Sequence, residues 1–361
     1  MLTILVRRTK GGLPANKIRA AGEAISRGRI VVFPTETVYG IGGDALDGDA
    51  VRSIFRIKGR PPDNPVIVHV ARISDVQPLV SELPETARIL MEAFWPGPLT
   101  LVMKKSEAVP KAVTGGLGNV SVRMPANRVA LSLIKAAGTP VAAPSANLSG
   151  RPSITTFSEA VAELDGRVDF IIDGGKCRIG VESTVVDMTR KIPLLLRPGG
   201  LPVEEIERVI GSIDIHPAAS GRGKFRGRAP SPGMKYRHYS PVHSSVILFE
   251  KEQTSGPSIA EARDRLLSSG FTVAMLVTDE ARLRKGVVVR LGSSKEPERI
   301  AKSLFSAMRQ LDRSRVDFIL AEGIDEKGIG LAVMNRLRRA SGGNGPEGLE
   351  KLIALKRGAQ R

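Results

Sequence analysis

Short apolar runs alternate with amphipathic stretches along the chain, and the pattern breaks once, a little past residue 212. Ahead of the break, Ile30-Val-Val-Phe33, Val66-Ile-Val68, Leu99-Thr-Leu-Val-Met103, Phe170-Ile-Ile172 and Leu194-Leu-Leu196 are continuous apolar runs of strand length. The start, Met1-Leu-Thr-Ile-Leu-Val-Arg7, reads as a first strand; it is too short for a signal peptide and carries its cation on the wrong side. Helical spacing predicts helices over 15–27, 49–57, 84–94, 127–137 and 158–164. Pro84 before Glu85 marks a helix start, and Gly28 and Gly138 mark helix stops. Strands alternating with helices predict an α/β domain over residues 1–212, a twisted mixed sheet with flanking helices.

Residues 213–243 have another character. No acid occurs from Ile215 to Phe249, and Gly221-Arg-Gly-Lys-Phe-Arg-Gly-Arg-Ala-Pro-Ser-Pro-Gly233 is basic, rich in Gly and Pro, and without apolar period. It reads as a linker. Met234-Lys-Tyr-Arg-His-Tyr239 then crowds two tyrosines, two cations and a histidine together, which predicts a segment lying over a site. From residue 244 to 361 a second pattern follows: strands at Val246–Phe249, Val273–Val277, Val287–Val289 and Phe318–Leu320, and helices over 258–269, 297–311 and 329–340. This predicts a small, Rossmann-like parallel-sheet domain. Its first strand is not followed by G-x-G-x-x-G, so a dinucleotide site is not expected there.

Composition narrows the picture. Of 361 residues, 42 % are hydrophobic, enough for a packed core. No apolar run reaches the roughly 18 residues of a membrane span, and a lone cysteine fits a reducing cytosol, so a cytoplasmic protein is expected. The single cysteine, Cys177, excludes an internal disulfide and a cysteine-cluster metal site, and reads as an inert small side chain. The formal charge of +17 points to a polyanionic partner, whether nucleotide, pyrophosphate or RNA. Aromatic residues make up only 4 %, which weighs against a base-stacking RNA platform. A P-loop, H-E-x-x-H and G-x-S-x-G are all absent.

The polar signatures lie mostly in the first domain. Lys58-Gly-Arg-Pro-Pro-Asp-Asn-Pro-Val-Ile-Val-His69 sets Lys58, Arg60, Asn64 and His69 on a proline-stiffened loop that runs into a strand. Arg60 suits two phosphate oxygens at once and Lys58 acts as a point charge. Alternation puts Val66, Val68 and Val70 on one strand face and His69 on the other. Phe33-Pro-Thr-Glu-Thr-Val-Tyr-Gly40 places Thr35 and Thr37 at a strand end, either as turn formers or as ligand-binding hydroxyls. Asn119-Val-Ser-Val-Arg-Met-Pro125 puts Ser121 and Arg123 on one strand face, as a cross-strand ion pair or a carboxylate clamp. Pro140-Val-Ala-Ala-Pro-Ser-Ala-Asn-Leu-Ser-Gly150 leads a strand into a small-residue turn whose amides could cradle phosphate. Ser183 and Thr184 join a small-residue stretch to an apolar one, and Leu196-Arg-Pro-Gly-Gly200 ends a strand on Arg197.

As a set, Lys58-Gly-Arg-Pro with Asn64-Pro and His69, Ser121-Val-Arg123, Pro144-Ser-Ala-Asn147, Glu182-Ser-Thr184, Leu196-Arg-Pro-Gly199 and Ser231-Pro-Gly-Met-Lys-Tyr-Arg-His-Tyr239 resemble the Sua5/YrdC family of threonylcarbamoyl-AMP synthases, in its long form. The departures are Val66 for leucine, Ile154 for proline and Ser240 for alanine. The resemblance implies that L-threonine, bicarbonate and ATP enter. The threonine amine is carboxylated, the carbamate attacks the α-phosphate, and pyrophosphate leaves L-threonylcarbamoyladenylate. That product serves N6-threonylcarbamoyladenosine (t6A) formation at position 37 of tRNA, which links the chain to the t6A transferase machinery. The resemblance also implies roles: Lys58 and Arg60 on the phosphates as catalytic residues; Asn64, Ser145, Asn147, Arg197 and Tyr236 toward nucleotide or bicarbonate; Thr37, His69, Arg123 and Ser183 around threonine. Mg²⁺ would arrive with ATP, and no protein metal site is expected. The alternative of another class is a non-catalytic RNA- or tRNA-binding protein. A further carbamoyl-adenylate enzyme, of the hydrogenase-maturation type, is disfavoured by the lack of its zinc-finger and acylphosphatase-like regions.

Overall fold

Ile30, Val31, Val32 and Phe33 alternate between two cores, and this organises the first unit. Val31 and Phe33 pack with Ala21, Ile25, Leu133 and Ile172, whereas Ile30 and Val32 pack with Tyr39, Ile54, Leu164 and Ile171. A strand buried on both faces has to read as a continuous apolar run. The computed structural model describes residues 2–222, 238–252, 255–283 and 285–359.

Eleven strands form one mixed sheet: β1 (Ile4–Val6), β2 (Val31–Phe33), β3 (Gly40–Asp44), β4 (Ile67–His69), β5 (Leu99–Lys104), β6 (Asn119–Arg123), β7 (Val141–Ala142), β8 (Phe170–Ile172), β9 (Thr184–Asp187), β10 (Leu194–Arg197) and β11 (Asp214–Ile215). Their spatial order is β1-β8-β2-β3-β7-β4-β6-β5-β9-β10-β11. β4 runs parallel to β6, β5 antiparallel to β6, and β5 parallel to β9. The predicted helices form at Ala15–Ile25, Gly48–Lys58, Glu85–Phe94, Arg128–Ala137 and Phe157–Leu164. Asn127 caps one of them by accepting from the amides of Val129 and Ala130, and Gly138 ends it in the left-handed region.

Three departures from the sequence pattern stand out. β3 carries three glycines in five residues, so its composition hides it; pairing to β2 and β7 makes it a strand. Asp214–Ile215, in the stretch read as linker, adds to the sheet beside β10, and the following turn buries Ala218 and Ala219. The helix Leu349–Ala359 lies beyond the last helix predicted.

The chain divides into two units, Met1–Ser149 with Ser153–Tyr236, and Gly150–Pro152 with Arg237–Arg361. The second unit has four parallel strands, β12 (Ser245–Phe249), β13 (Val273–Val277), β14 (Val287–Arg290) and β15 (Phe318–Glu322), in the order β12-β15-β13-β14. Ile247, Met275, Phe318 and Leu320 build its core with Ala262, Leu266 and Ile353.

Helix Ala15–Ile25 meets helix Arg128–Ala137 at Gly22. A methyl group there would stand 2.5 Å from the Ala136 Cβ and 2.8 Å from its carbonyl carbon. Gly22→Ala is therefore expected to overpack the crossing and cost about 1–3 kcal/mol. Thermal denaturation should show a melting temperature lowered by several degrees.

Candidate functional site

Register assembles the site. His69 lies opposite Arg123 across the parallel β4–β6 pair, so both side chains leave the same face of the sheet. On the antiparallel neighbour β5, Leu101 lies opposite Val122, and the next position, Thr100, continues the row beside Arg123. His69, Thr100 and Arg123 are all buried, among apolar neighbours that point to the opposite face.

Two stretches distant in sequence close on the Arg123 guanidinium. Its Nε donates to the Gly97 carbonyl (3.1 Å), Nη1 to Thr37 Oγ1 (2.9 Å) and Nη2 to Glu36 Oε1 (2.6 Å). Both Arg123 and Glu36 are only 3 % exposed. Thr37 is held in turn by Thr35, whose hydroxyl also donates to the Val38 carbonyl. An arginine has five N–H donors. With these three bonds counted among the described residues, Nη1 and Nη2 each keep one, the two-pronged geometry that suits a carboxylate.

The amides of Ile179 and Gly180 donate to the carbonyls of Glu36 and Thr37, which brings the next residues alongside. There the Ser183 hydroxyl meets the Thr100 hydroxyl (2.8 Å), and Arg197 donates to the carbonyl and hydroxyl of Ser183. Arg197 stands at the end of β10, beside Val185 at the start of β9.

The second group gathers where β4 begins. Lys58 ends its helix, and Gly59 in the left-handed region (φ 59°) turns the chain into the loop, a conformation that favours glycine. The buried Lys58 ammonium donates to the carbonyls of Ser145 (2.5 Å) and Asn147. Ser145 is fixed by a bridge to Gly40. Arg60 folds back on its own loop, donating to the carbonyls of Asn64 (3.2 Å) and Pro65 (2.7 Å). Asn64 is 2 % exposed, and its Oδ1 has no hydrogen-bond partner among the described residues.

Burial sets the electrostatics. It pushes the Lys58 ammonium well below its usual range, and the Arg60 charge adds to this. It also pushes the His69 imidazole down to about 3, reinforced by Arg123, so His69 is neutral near pH 7. Burial drives the Cys177 thiol upward, which fits an inert side chain better than a nucleophile.

Of the residues singled out from sequence, the structure brings Thr37, His69 and Arg123 into the first group with Ser183 and Arg197 beside them. Lys58, Arg60, Asn64, Ser145 and Asn147 form the second. Tyr236 lies outside the described residues. Sequence reasoning missed Glu36 and Thr100. The only signal for Glu36 was an acid between two threonines at a strand end; Thr100 sits inside an apolar run and gave none. Among the described residues, no group of three or more His, Cys, Asp or Glu could hold a metal ion, and no helix is long and apolar enough to cross a membrane.

A sheet face carrying a buried Arg, a neutral His and hydroxyls, with a buried Lys/Arg loop in the same unit, defines an α/β protein with a buried cationic site. A family model described as "Telomere recombination", for Sua5, YciO and YrdC proteins, matches residues 23–199. A second, described as "Threonylcarbamoyl-AMP synthase, C-terminal domain", matches residues 201–342. The chain is 51 % identical over 326 residues to a threonylcarbamoyl-AMP synthase of Pyrococcus abyssi, covering 90 % of this chain and 94 % of the relative. It is 44 % identical over 333 residues to one of Bacillus subtilis, covering 91 % and 93 %. The crystal structure of P. abyssi Sua5 complexed with L-threonine matches with a TM-score of 0.88 at 49 % identity, covering 96 % of this chain and 99 % of that one. The chain belongs to the Sua5 family of threonylcarbamoyl-AMP synthases.

The low His69 value carries a prediction about stability. Unfolded, the imidazole titrates near ~6.5; folded, it stays neutral down to about 3. Between these values the unfolded state binds the extra proton, so stability is full above the upper value and falls as pH falls, by at most about 1.4 kcal/mol per pH unit. His69→Asn should flatten this acid limb, read from chemical denaturation between pH 7 and 4. A limb of unchanged steepness would mean that His69 protonates in the folded protein.

Proposed function

We propose that the chain is an L-threonylcarbamoyladenylate synthase, converting L-threonine, bicarbonate and ATP to threonylcarbamoyl-AMP and pyrophosphate. The observation that carries this reading is the buried row of Thr37, His69, Arg123 and Ser183, in a chain that matches nearly end to end a relative solved with L-threonine. The comparisons favour the enzyme over the non-catalytic RNA-binding alternative.

In this reading Arg123 takes the threonine carboxylate with its two remaining N–H groups. Thr37, Ser183 and neutral His69 surround the rest of the molecule. Lys58 and Arg60 face the phosphates, where charge develops as the carbamate oxygen attacks phosphorus and pyrophosphate leaves. The Lys58 ammonium rests on backbone carbonyls that fix its position before any substrate arrives, so little reorganisation opposes the reaction. Asn64, Ser145, Asn147 and Arg197 contact nucleotide or bicarbonate. Asn64 Oδ1, buried and unbonded among the described residues, is an acceptor suited to a donor on the substrate. Mg²⁺ enters as part of the Mg–ATP substrate, held by phosphates and water. The product would feed the t6A transferase machinery that modifies tRNA, and the +17 charge is compatible with weak tRNA contact along that route.

The test is pyrophosphate release from Mg–ATP, with threonine and bicarbonate added singly and together. Release should require both. Release with threonine alone, in bicarbonate-depleted buffer, would point to simple aminoacyl adenylation instead. Arg123→Ala and Lys58→Ala should each lower kcat/KM by roughly a hundredfold, the scale of one or two charge-assisted hydrogen bonds.

A further inference from the structure

One buried oxygen near Arg123 has no role so far. Glu36 is 3 % exposed; its Oε1 accepts from Arg123, and its Oε2 has no hydrogen-bond partner among the described residues. Leaving a buried carboxylate oxygen unbonded is costly, and such atoms in folded proteins call for an explanation. The carboxylate cannot turn away, because Arg123 holds its other oxygen and the Glu36 backbone carbonyl accepts from Ile179. An α-amino acid whose carboxylate lies on Nη1 and Nη2 of Arg123 carries its amine one carbon further on. The Glu36 carboxylate stands on the Nη2 side of that guanidinium, within hydrogen-bond distance of it.

We propose that Glu36 Oε2 receives the α-amino group of the amino-acid substrate and takes its proton as the carbamate forms. The assignment rests on the synthase reading above. Its balance is simple: the ammonium and bicarbonate condense to the carbamate, one water and one proton. One ammonium proton passes to the bicarbonate hydroxyl, whose carbon–oxygen bond breaks as water departs; the nitrogen lone pair so freed forms the C–N bond, and a second proton then goes from that nitrogen to Oε2. A free amine is far more basic than a carboxylate, but nitrogen bonded to the carboxyl carbon becomes strongly acidic, so a positioned carboxylate is base enough at that stage. A second titratable group on this face is His69. Held near 3 by burial and by Arg123, it is a poor acceptor. Glu36 thereby links two events on one side chain: Oε1 orients the arginine that binds the substrate carboxylate, and Oε2 orients the reacting nitrogen.

The test separates these two roles. Binding of L-threonine and of 3-hydroxybutanoate, which is threonine without its amine, is measured by calorimetry on the full chain and on Glu36→Gln. Glutamine keeps an oxygen for Arg123 and puts an amide where Oε2 stood. Wild type is expected to prefer threonine by at least about tenfold, the scale of a hydrogen bond to a charged group. Glu36→Gln is expected to bind the two ligands alike, with 3-hydroxybutanoate affinity held within about threefold of wild type, well under one such bond. A merely structural Glu36 would weaken both ligands equally and leave their ratio unchanged, and that result overturns the proposal. If Glu36→Gln does not fold, Glu36→Asp is read in the same way. Its carboxylate is one methylene shorter, so the preference for threonine should collapse, and an unchanged preference overturns the assignment. Wild type that binds neither ligand and releases no pyrophosphate would instead sink the synthase reading on which the proposal stands.

Discussion

The buried guanidinium of Arg123 is the constraint around which the first unit is arranged. A charge at 3 % exposure has to be paired and hydrogen-bonded, or the structure that buries it does not persist. The partners of this β6 residue come from two places: the turn after β2 gives Glu36 and Thr37, and the segment before β5 gives Gly97. Neither place lies near the other in sequence. Satisfying one cation therefore fixes the approach of two loops to the sheet face, and with them the floor of the candidate site.

Positive charge accumulates around that floor. Lys58, Arg60, Arg123 and Arg197 are all at most 8 % exposed; Lys58, Arg60 and Arg197 are tied to backbone carbonyls, and Arg123 to a carbonyl, a hydroxyl and the Glu36 carboxylate. Carbonyl dipoles hold a cation in place without cancelling its charge, so its field stays available to an anion. The cations also act on one another: Arg60 helps press Lys58 downward in pKa, and Arg123 does the same to His69. A site of this kind is tense before an anionic substrate arrives and relaxed by it, which is a physical basis for binding phosphate and carboxylate together.

The second unit solves its charge problem differently. Arg338, 5 % exposed, is closed between two carboxylates, Glu250 (2.7 Å) and Glu326 (2.5 Å), so it keeps little field for a ligand. Its four-stranded sheet is all parallel and its core is aliphatic and aromatic. One arginine is neutralised by two acids; the other, paired with one acid, keeps two donors unbonded among the described residues.

Much of this was legible in the chain. The short continuous apolar runs and amphipathic spacings gave most strands and helices to within a residue or two, because burial on both sheet faces leaves little freedom in composition. The proline-stiffened 58–69 loop and the Ser121–Arg123 pair announced polar chemistry, because cations and prolines together are hard to explain as packing. β3 stayed hidden, since Gly40, Gly42 and Gly43 have no strand propensity and form a strand only where two neighbours supply the hydrogen bonds. Local sequence therefore determined the elements and the inventory of reactive groups. Tertiary structure alone decided which groups face each other: that His69 lies opposite Arg123, that Arg123 finds Glu36 from 87 positions away, and that one oxygen of that carboxylate is left unbonded among the described residues. Strand register and loop closure set those pairings, and both are properties of the whole sheet that no local stretch of the chain encodes.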